Sequence, residues 1–327
     1  MRHTLKKTGA CLFALSILLT GCETVAERTG ELQVVFASSN VTGSFYQYAV
    51  PFCDIVNQNS KGEGFKLTPI STTGTKENFD LLSVKEANVA GGPGIIAYNS
   101  FMGQGPWEET GPIDFSVAYV CYPDYVQIAT RKDAKINGLS DLEGKAVSVN
   151  LKGSSADILA TLIFDSLGIA VNSYYLDNTD GLSALQDGTI DAFVYAGGLN
   201  ASVCMELAAS RSGIKLVPFT PEEAALVSAA TENIYQIKEI PANSYEGIDH
   251  DILTVGSTTS ICVSNDLPED VIYHIVKTIE EHHDELADAV RAASYSTATN
   301  TVDAWKDAPI PFHPGAERYF RELGLLE

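Results

Sequence analysis

An α/β fold of two consecutive alternating units is what this sequence predicts, on three observations. Short β-type runs alternate with segments of helical apolar spacing from Leu32 onward. Loops of small, hydroxyl-bearing or glycine residues follow the runs. Two longer extended stretches, 117–130 and 252–263, interrupt the alternation. Strands alternating with helices argue for parallel sheets covered on both faces.

In the first unit, Leu32-Gln33-Val34-Val35-Phe36 is a strand that ends in the loop Ala37-Ser38-Ser39-Asn40-Val41-Thr42-Gly43-Ser44. Phe45, Ala49, Phe52 and Val56 follow at helical spacing, and Pro51 is expected to kink or shorten that helix. A strand over 65–70 leads into Ser71-Thr72-Thr73-Gly74-Thr75, and the next helix carries Phe79, Leu82 and Ala87 inward. Asn88-Val89-Ala90 is a short strand, after which Gly91-Gly92-Pro93-Gly94 opens a third helix.

The pattern restarts near Tyr125. Strands are expected over 126–131 and 145–149, with a turn over 139–144 between them. Asn150-Leu151-Lys152-Gly153-Ser154-Ser155 precedes a helix marked by Ile158, Leu159, Leu162 and Ile163 and stopped by Gly168. A helix over 181–186 stops at Asp187-Gly188, and a strand over 190–195 runs into Ala196-Gly197-Gly198-Leu199-Asn200. A long helix is expected over 270–292. The two extended stretches are candidates for crossings between domains, which puts domain one at 32–122 plus 262–327 and domain two at 123–261.

Ahead of the first strand stands a different kind of signal. Arg2, Lys6 and Lys7 precede an apolar run from Ala10 to Leu19 that is too short for a permanent membrane span. Leu19-Thr20-Gly21-Cys22 then resembles the lipobox of bacterial lipoproteins. Residues 1–21 therefore read as a lipoprotein signal peptide and 22–31 as a polar tether. Cys22 reads as the lipidation site of an extracytoplasmic, membrane-anchored protein.

The chain has 327 residues and a formal charge of −21; losing residues 1–21, which hold three basic and no acidic residues, makes it −24. So acidic a protein has no basic face to release counterions, which argues against nucleic acid as a partner. A hydrophobic content of 45% with 19% charged residues describes a globular chain. Cys53, Cys121, Cys204 and Cys262 lie far apart in apolar stretches without C-x-x-C spacing. They read as buried free thiols, with one or two disulfides as the alternative.

Small-residue loops after the strands of both units suit a ligand cleft, because open α/β sheets bind beyond their strands' carboxyl ends. Ser39, Asn40, Thr42 and Ser44 combine side-chain and main-chain donors at one helix start, and Gly153, Ser154 and Ser155 do so in the second unit. That chemistry suits a carboxylate. Helix capping explains each residue singly. Tyr46 and Tyr195 offer flat walls with a phenolic donor; Thr73, Asn78 and Gly197 complete the candidates. Lys152 reads as solvated, Arg131 as a rim salt bridge, and His313 as packing for the C-terminal stretch.

Four passages give a family resemblance. Thr42-Gly43-Ser44-Phe45-Tyr46, Thr73-Gly74-Thr75-Lys76-Glu77-Asn78-Phe79-Asp80-Leu81-Leu82, Leu185-Gln186-Asp187-Gly188-Thr189-Ile190-Asp191-Ala192-Phe193 and Pro311-Phe312-His313-Pro314-Gly315-Ala316-Glu317-Arg318-Tyr319-Phe320 resemble the TAXI branch of TRAP-transporter substrate receptors. The first loop is poorer in glycine than in that family, with Asn40, Val41 and Ser44 standing in. The resemblance implies a two-domain fold of the periplasmic-binding-protein type (type II), with a central cleft and two crossing segments. It further implies hinge closure on a small anionic organic solute of the amino acid (glutamate-like) or dicarboxylate class, handed to TRAP-type permease subunits.

Rival classes are an ABC-type receptor of the same fold and a surface-scaffold lipoprotein. An enzyme is disfavoured: G-x-S-x-G, H-E-x-x-H, P-loop and complete G-x-G-x-x-G motifs are missing. No cofactor and no metal are expected. His282-His283-Asp284-Glu285 reads as the solvated face of the 270–292 helix, since adjacent helical residues point about 100° apart.

Overall fold

Alternating burial makes β1 (Leu32–Ala37) a strand, with Val34 and Phe36 turned inward. Its parallel neighbour β2 (Phe65–Ile70) pairs Phe65 with Leu32 and Ile70 with Ala37. Between them α1 (Ser44–Asn59) runs unbroken through Pro51, which therefore does not shorten it. An interior proline costs about 3 kcal/mol. Buried Phe45, Tyr48, Phe52, Ile55 and Val56 outweigh that, at roughly 1.5–3 kcal/mol for each large side chain.

The computed structural model describes residues 30–327; the signal peptide, Cys22 and all but the last two residues of the tether lie outside the described residues. Next come α2 (Thr75–Ser83), β3 (Val89–Pro93) and α3 (Gly94–Met102). Phe79 and Leu82 are buried on α2, but Ala87 is buried in the turn beyond it, not on the helix. Gly91, Gly92 and Pro93 extend β3 rather than open α3. A neighbouring strand pairs with them and takes up their backbone groups.

The chain then enters β4 (Ser116–Arg131), followed by β5 (Ala146–Ser148), α4 (Ser155–Leu167), β6 (Asn172–Tyr174) and α5 (Asn178–Asp187). After these come β7 (Ala192–Gly197), α6 (Ser202–Ala209), β8 (Ile214–Leu216), α7 (Pro221–Ala230), β9 (Gln236–Ile240) and β10 (Ile252–Val263). Left-handed Gly168 and Gly188 end α4 and α5, as their positions in the sequence suggest.

Separate parallel sheets are the expectation from sequence; the strands instead form one continuous mixed path, β2-β1-β3-β10-β4-β7-β5-β6. The short strands β8 and β9 are added on β4 and β10. Each flank is parallel within itself (β1 with β2 and β3; β5 with β6 and β7). The long strands β4 and β10 run antiparallel to each other and to β7 and β3 respectively. Buried through most of their length, they must pair along it, and so join both flanks.

The expected helix over 270–292 is two: α8 (Glu269–Glu281) and α9 (His283–Ala289), with a change of direction at His282 that lets Leu286 bury against the α1–α8 core. His282 and His283 lie at that junction, 3.4 Å from Glu285 and from Asp284 respectively. Helices α10 (Ala298–Trp305) and α11 (Pro314–Glu322) close the chain. His313, at the start of α11, is buried. Its Nδ1 accepts from Gly315 N–H at 3.2 Å, its own N–H donates to Val117, and burial lowers the ring's pKa. The C-terminal stretch is thereby fastened to β4.

Cys53, Cys121, Cys204 and Cys262 are buried and free; burial pushes each thiol up, Cys204 to about 12. Among the described residues no helix is long and apolar enough to cross a membrane.

Candidate functional site

Strand direction alone fixes where a ligand would sit. The first flank, through β3 and β10, borders the earlier half of β4, and its strands run the way β4 runs. The second flank meets β4 at 125–129 and runs the opposite way. Both sets of carboxyl ends therefore point at the middle of β4, near residues 122–125. A cavity of about 60 Å³ lies there, the volume of roughly two waters in the liquid.

The first flank lines it with Ser38, Ser39, Asn40, Gly43, Ser44, Phe45, Thr73, Gly74, Thr75, Gly91, Gly92 and Pro93. Asn150, Ser154, Ser155, Ala156, Asn178, Tyr195 and Ala196 come from the second, and Tyr122, Asp124 and Thr259 from the crossing strands. Helices α1, α2 and α4 all begin at this wall. Of their first N–H groups, Tyr46 bonds Ser39, Lys76 bonds Gly153 and Asp157 bonds Ser154. The others, which have no partner inside a helix, are donors an anion could use.

The two flanks touch directly around the cavity. Thr75 Oγ1 lies 2.5 Å from Ser155 Oγ, and Ser44 Oγ hydrogen-bonds the Tyr195 hydroxyl. Asn178 Nδ2 donates to Thr42 O at 3.2 Å, and Lys76 N–H donates to Gly153 O at 3.0 Å. Glycines permit the approach: a Cβ on Gly74 would fall 2.8 Å from Ser154 Cα, and one on Gly197 3.0 Å from Ser44 Oγ.

Of the residues singled out in the sequence, Ser39, Asn40, Ser44, Thr73, Ser154, Ser155 and Tyr195 line the cavity. Ser154 also caps α4, accepting from Asp157 N–H at 3.2 Å, as the capping reading expects. Five candidates stand elsewhere. Thr42 is exposed and bridges to Asn178. Tyr46 falls one helical step past the wall, where Phe45 takes the inward place. Asn78 is fully buried as a brace, accepting from Thr72 Oγ1 and donating to the carbonyls of Ser38 and Gly91. Gly153 and Gly197 shape the contact between flanks without lining the cavity. Lys152 packs over the Tyr175 ring, and Arg131 donates to the carbonyls of Leu185 and Ile190.

Asp124 and Asn178 are the main residues that sequence reasoning missed. Asn178 opens α5, which begins three residues before the expected 181. Asp124 carried a readable signal: it is the one charged residue within the run 116–130 of β4. It is 1% exposed, and burial pushes its carboxyl up to about 6 although Tyr235 donates to Oδ2.

A model of the NMT1-like family matches residues 36–324. The Xanthomonas citri protein XAC2383 bound to ATP is similar in structure, with a TM-score of 0.52 and 12% identity over 89% of this chain and 95% of that one. A structure on glutathione import in Streptococcus mutans, via GshT and the cystine ABC importer TcyBC, gives 0.50 and 11% over 81% and 95%. A putative L-cystine ABC transporter protein from Listeria monocytogenes gives 0.50 and 13% over 81% and 98%. At such identities the likeness is one of fold. It is the two-domain, periplasmic-binding-protein-like α/β fold that the sequence leads one to expect.

Proposed function

We propose that this chain, which belongs to the NMT1-like family, is an extracytoplasmic solute receptor that closes on a small carboxylate-bearing solute and delivers it to a membrane permease. The observation that carries this reading is the small cavity where both flanks' strands point, sealed by hydrogen bonds from one flank to the other. In this reading the lobes are 32–122 plus 262–327 and 123–261, hinged on β4 and β10. A solute touching both lobes favours the closed form, and that difference in affinity drives closure. Binding and release without chemistry is the expected cycle.

The permease separates two readings. The resemblance in the sequence implies a TRAP-type partner driven by an ion gradient. The Streptococcus mutans neighbour is described with an ABC importer and the Listeria monocytogenes neighbour as a putative ABC transporter, which favours the ABC-type alternative. Uptake that depends on ATP and survives collapse of ion gradients is the result expected of it.

Anchoring through an acylated Cys22 belongs to the same proposal. Mass spectrometry of the mature protein should find lipid on Cys22, and Cys22→Ser should leave precursor or a released form. A mature terminus elsewhere contradicts the anchor. The receptor reading itself is tested by calorimetry with small carboxylic and amino acids: saturable binding is expected, and a solute converted on incubation would make the protein an enzyme.

A further inference from the structure

One charged group in the cavity wall has an unanswered side. Asp124 is buried at the point where both lobes meet β4; Tyr235 donates to its Oδ2, and its Oδ1 has no hydrogen-bond partner among the described residues. An ionised carboxylate left half-satisfied in a buried site is costly, because it has given up water without a full set of partners in return. Among the described residues no lysine, arginine or histidine lines the cavity. Lys238 acts on Asp124 only at a distance, and its Nζ sits 5.4 Å over the Tyr125 ring. The remaining titratable neighbours are the phenols of Tyr122, Tyr125 and Tyr195, none of which burial lets ionise near neutral pH. The donors of the same cavity belong to the helix starts at Ser44, Thr75 and Ser155. The site is therefore dipolar, with N–H groups and hydroxyls on some walls and one carboxylate on another.

We propose that the solute carries a cationic group, as the ammonium of an α-amino acid, seated on Oδ1 of Asp124, while its carboxylate takes the N–H groups at the helix starts. This rests on the receptor reading above and narrows it. A dicarboxylate would set a second negative charge against Asp124, whereas a zwitterion satisfies both ends. The cavity's volume holds the solute to a small one.

The test is calorimetry at pH 8 with the common L-amino acids, the deaminated carboxylic acid of each and the decarboxylated amine of each. An amino acid should bind and its deaminated counterpart should not. Asp124→Asn should weaken that amino acid roughly 30-fold or more, as expected when one partner of a buried charge pair is lost. Wild-type affinity should fall about tenfold between pH 8 and pH 5, because a carboxyl with a pKa of about 6 is mostly protonated there. The variant should show no such fall.

A folding control accompanies the test. The folded state holds the Asp124 proton more tightly than the unfolded chain, so ionisation removes stability as pH rises through about 6. Unliganded Asp124→Asn should therefore unfold at a higher temperature than wild type at pH 8, with the difference shrinking at pH 4. A deaminated acid binding as tightly as its amino acid, or an unaffected Asp124→Asn, overturns this inference and leaves the receptor reading standing. Binding by no member of the three series overturns the carboxylate-solute reading, and this inference with it.

Discussion

Gly74→Val is expected to abolish solute binding, by at least about 100-fold or roughly 2.7 kcal/mol, in a protein that still folds. Gly74 has φ +143° and lies against the other flank, where even a Cβ would come 2.8 Å from Ser154 Cα and 3.2 Å from its Cβ. The obstacle is backbone, which cannot swing aside as a long side chain can. An L-residue in that conformation also costs on the order of 1–3 kcal/mol. The clash falls on the closed form, in which the loop before α2 meets the start of α4, whereas the conformational cost falls on the folded chain in either form. Thr75 and Ser155 would be driven apart and the hydrogen bond between their hydroxyls broken. Calorimetry should show no heat of binding, while the unliganded variant still unfolds cooperatively, with stability lowered by no more than that conformational cost of about 1–3 kcal/mol. Wild-type affinity in Gly74→Val would mean that these loops need not meet.

Trp107→Ala should cost about 3–5 kcal/mol of stability, the usual range for a large aromatic deleted from a core. The ring is 1% exposed, meets Phe79 edge-on at 6.0 Å between centroids, and donates from Nε1 to Asp80 Oδ1 at 3.0 Å. Lys76 lies over its face and pairs with Asp80 at 2.6 Å. Trp107 thus holds α2 from behind, and α2 begins at the cavity with Thr75. Trp107→Phe keeps most of the packing and loses the hydrogen bond, so a cost nearer 1 kcal/mol is expected. Equilibrium denaturation in urea measures both. Equal costs for the two variants would assign the stabilisation to the hydrogen bond and not to packing.

Local chemistry makes parts of both units legible in the sequence. The apolar alternation of 32–36, the helical spacing from Phe45 to Val56, and the stops at Gly168 and Gly188 act over a few residues, and the structure carries them nearly as read. What depends on distant strands is not legible. Gly91-Gly92-Pro93 looks like a helix opening until β10 pairs with it, and its glycines are needed for Phe45 and Thr75 to come close. The merging of the two expected sheets into one path is likewise a property of the β4–β10 pairing, which no local period encodes.

Within the site, hydroxyl and amide residues at helix starts are legible because capping and anion binding favour the same types. That shared preference is also why Thr42 and Asn78 stand among the candidates: one bridges the flanks and the other braces the loops from beneath. Asp124 shows in the sequence as the one charge in the run 116–130, which marks it out but gives no role. Whether its carboxylate finds a partner is settled only by the fold around it.

Closure by a hinge is the central claim, and small-angle scattering with and without saturating amino acid tests it most directly. The unliganded protein should show a radius of gyration larger than that calculated from the closed arrangement of Glu31–Glu327, contracting to it when the amino acid is added. A radius that is the same in both states would contradict the account.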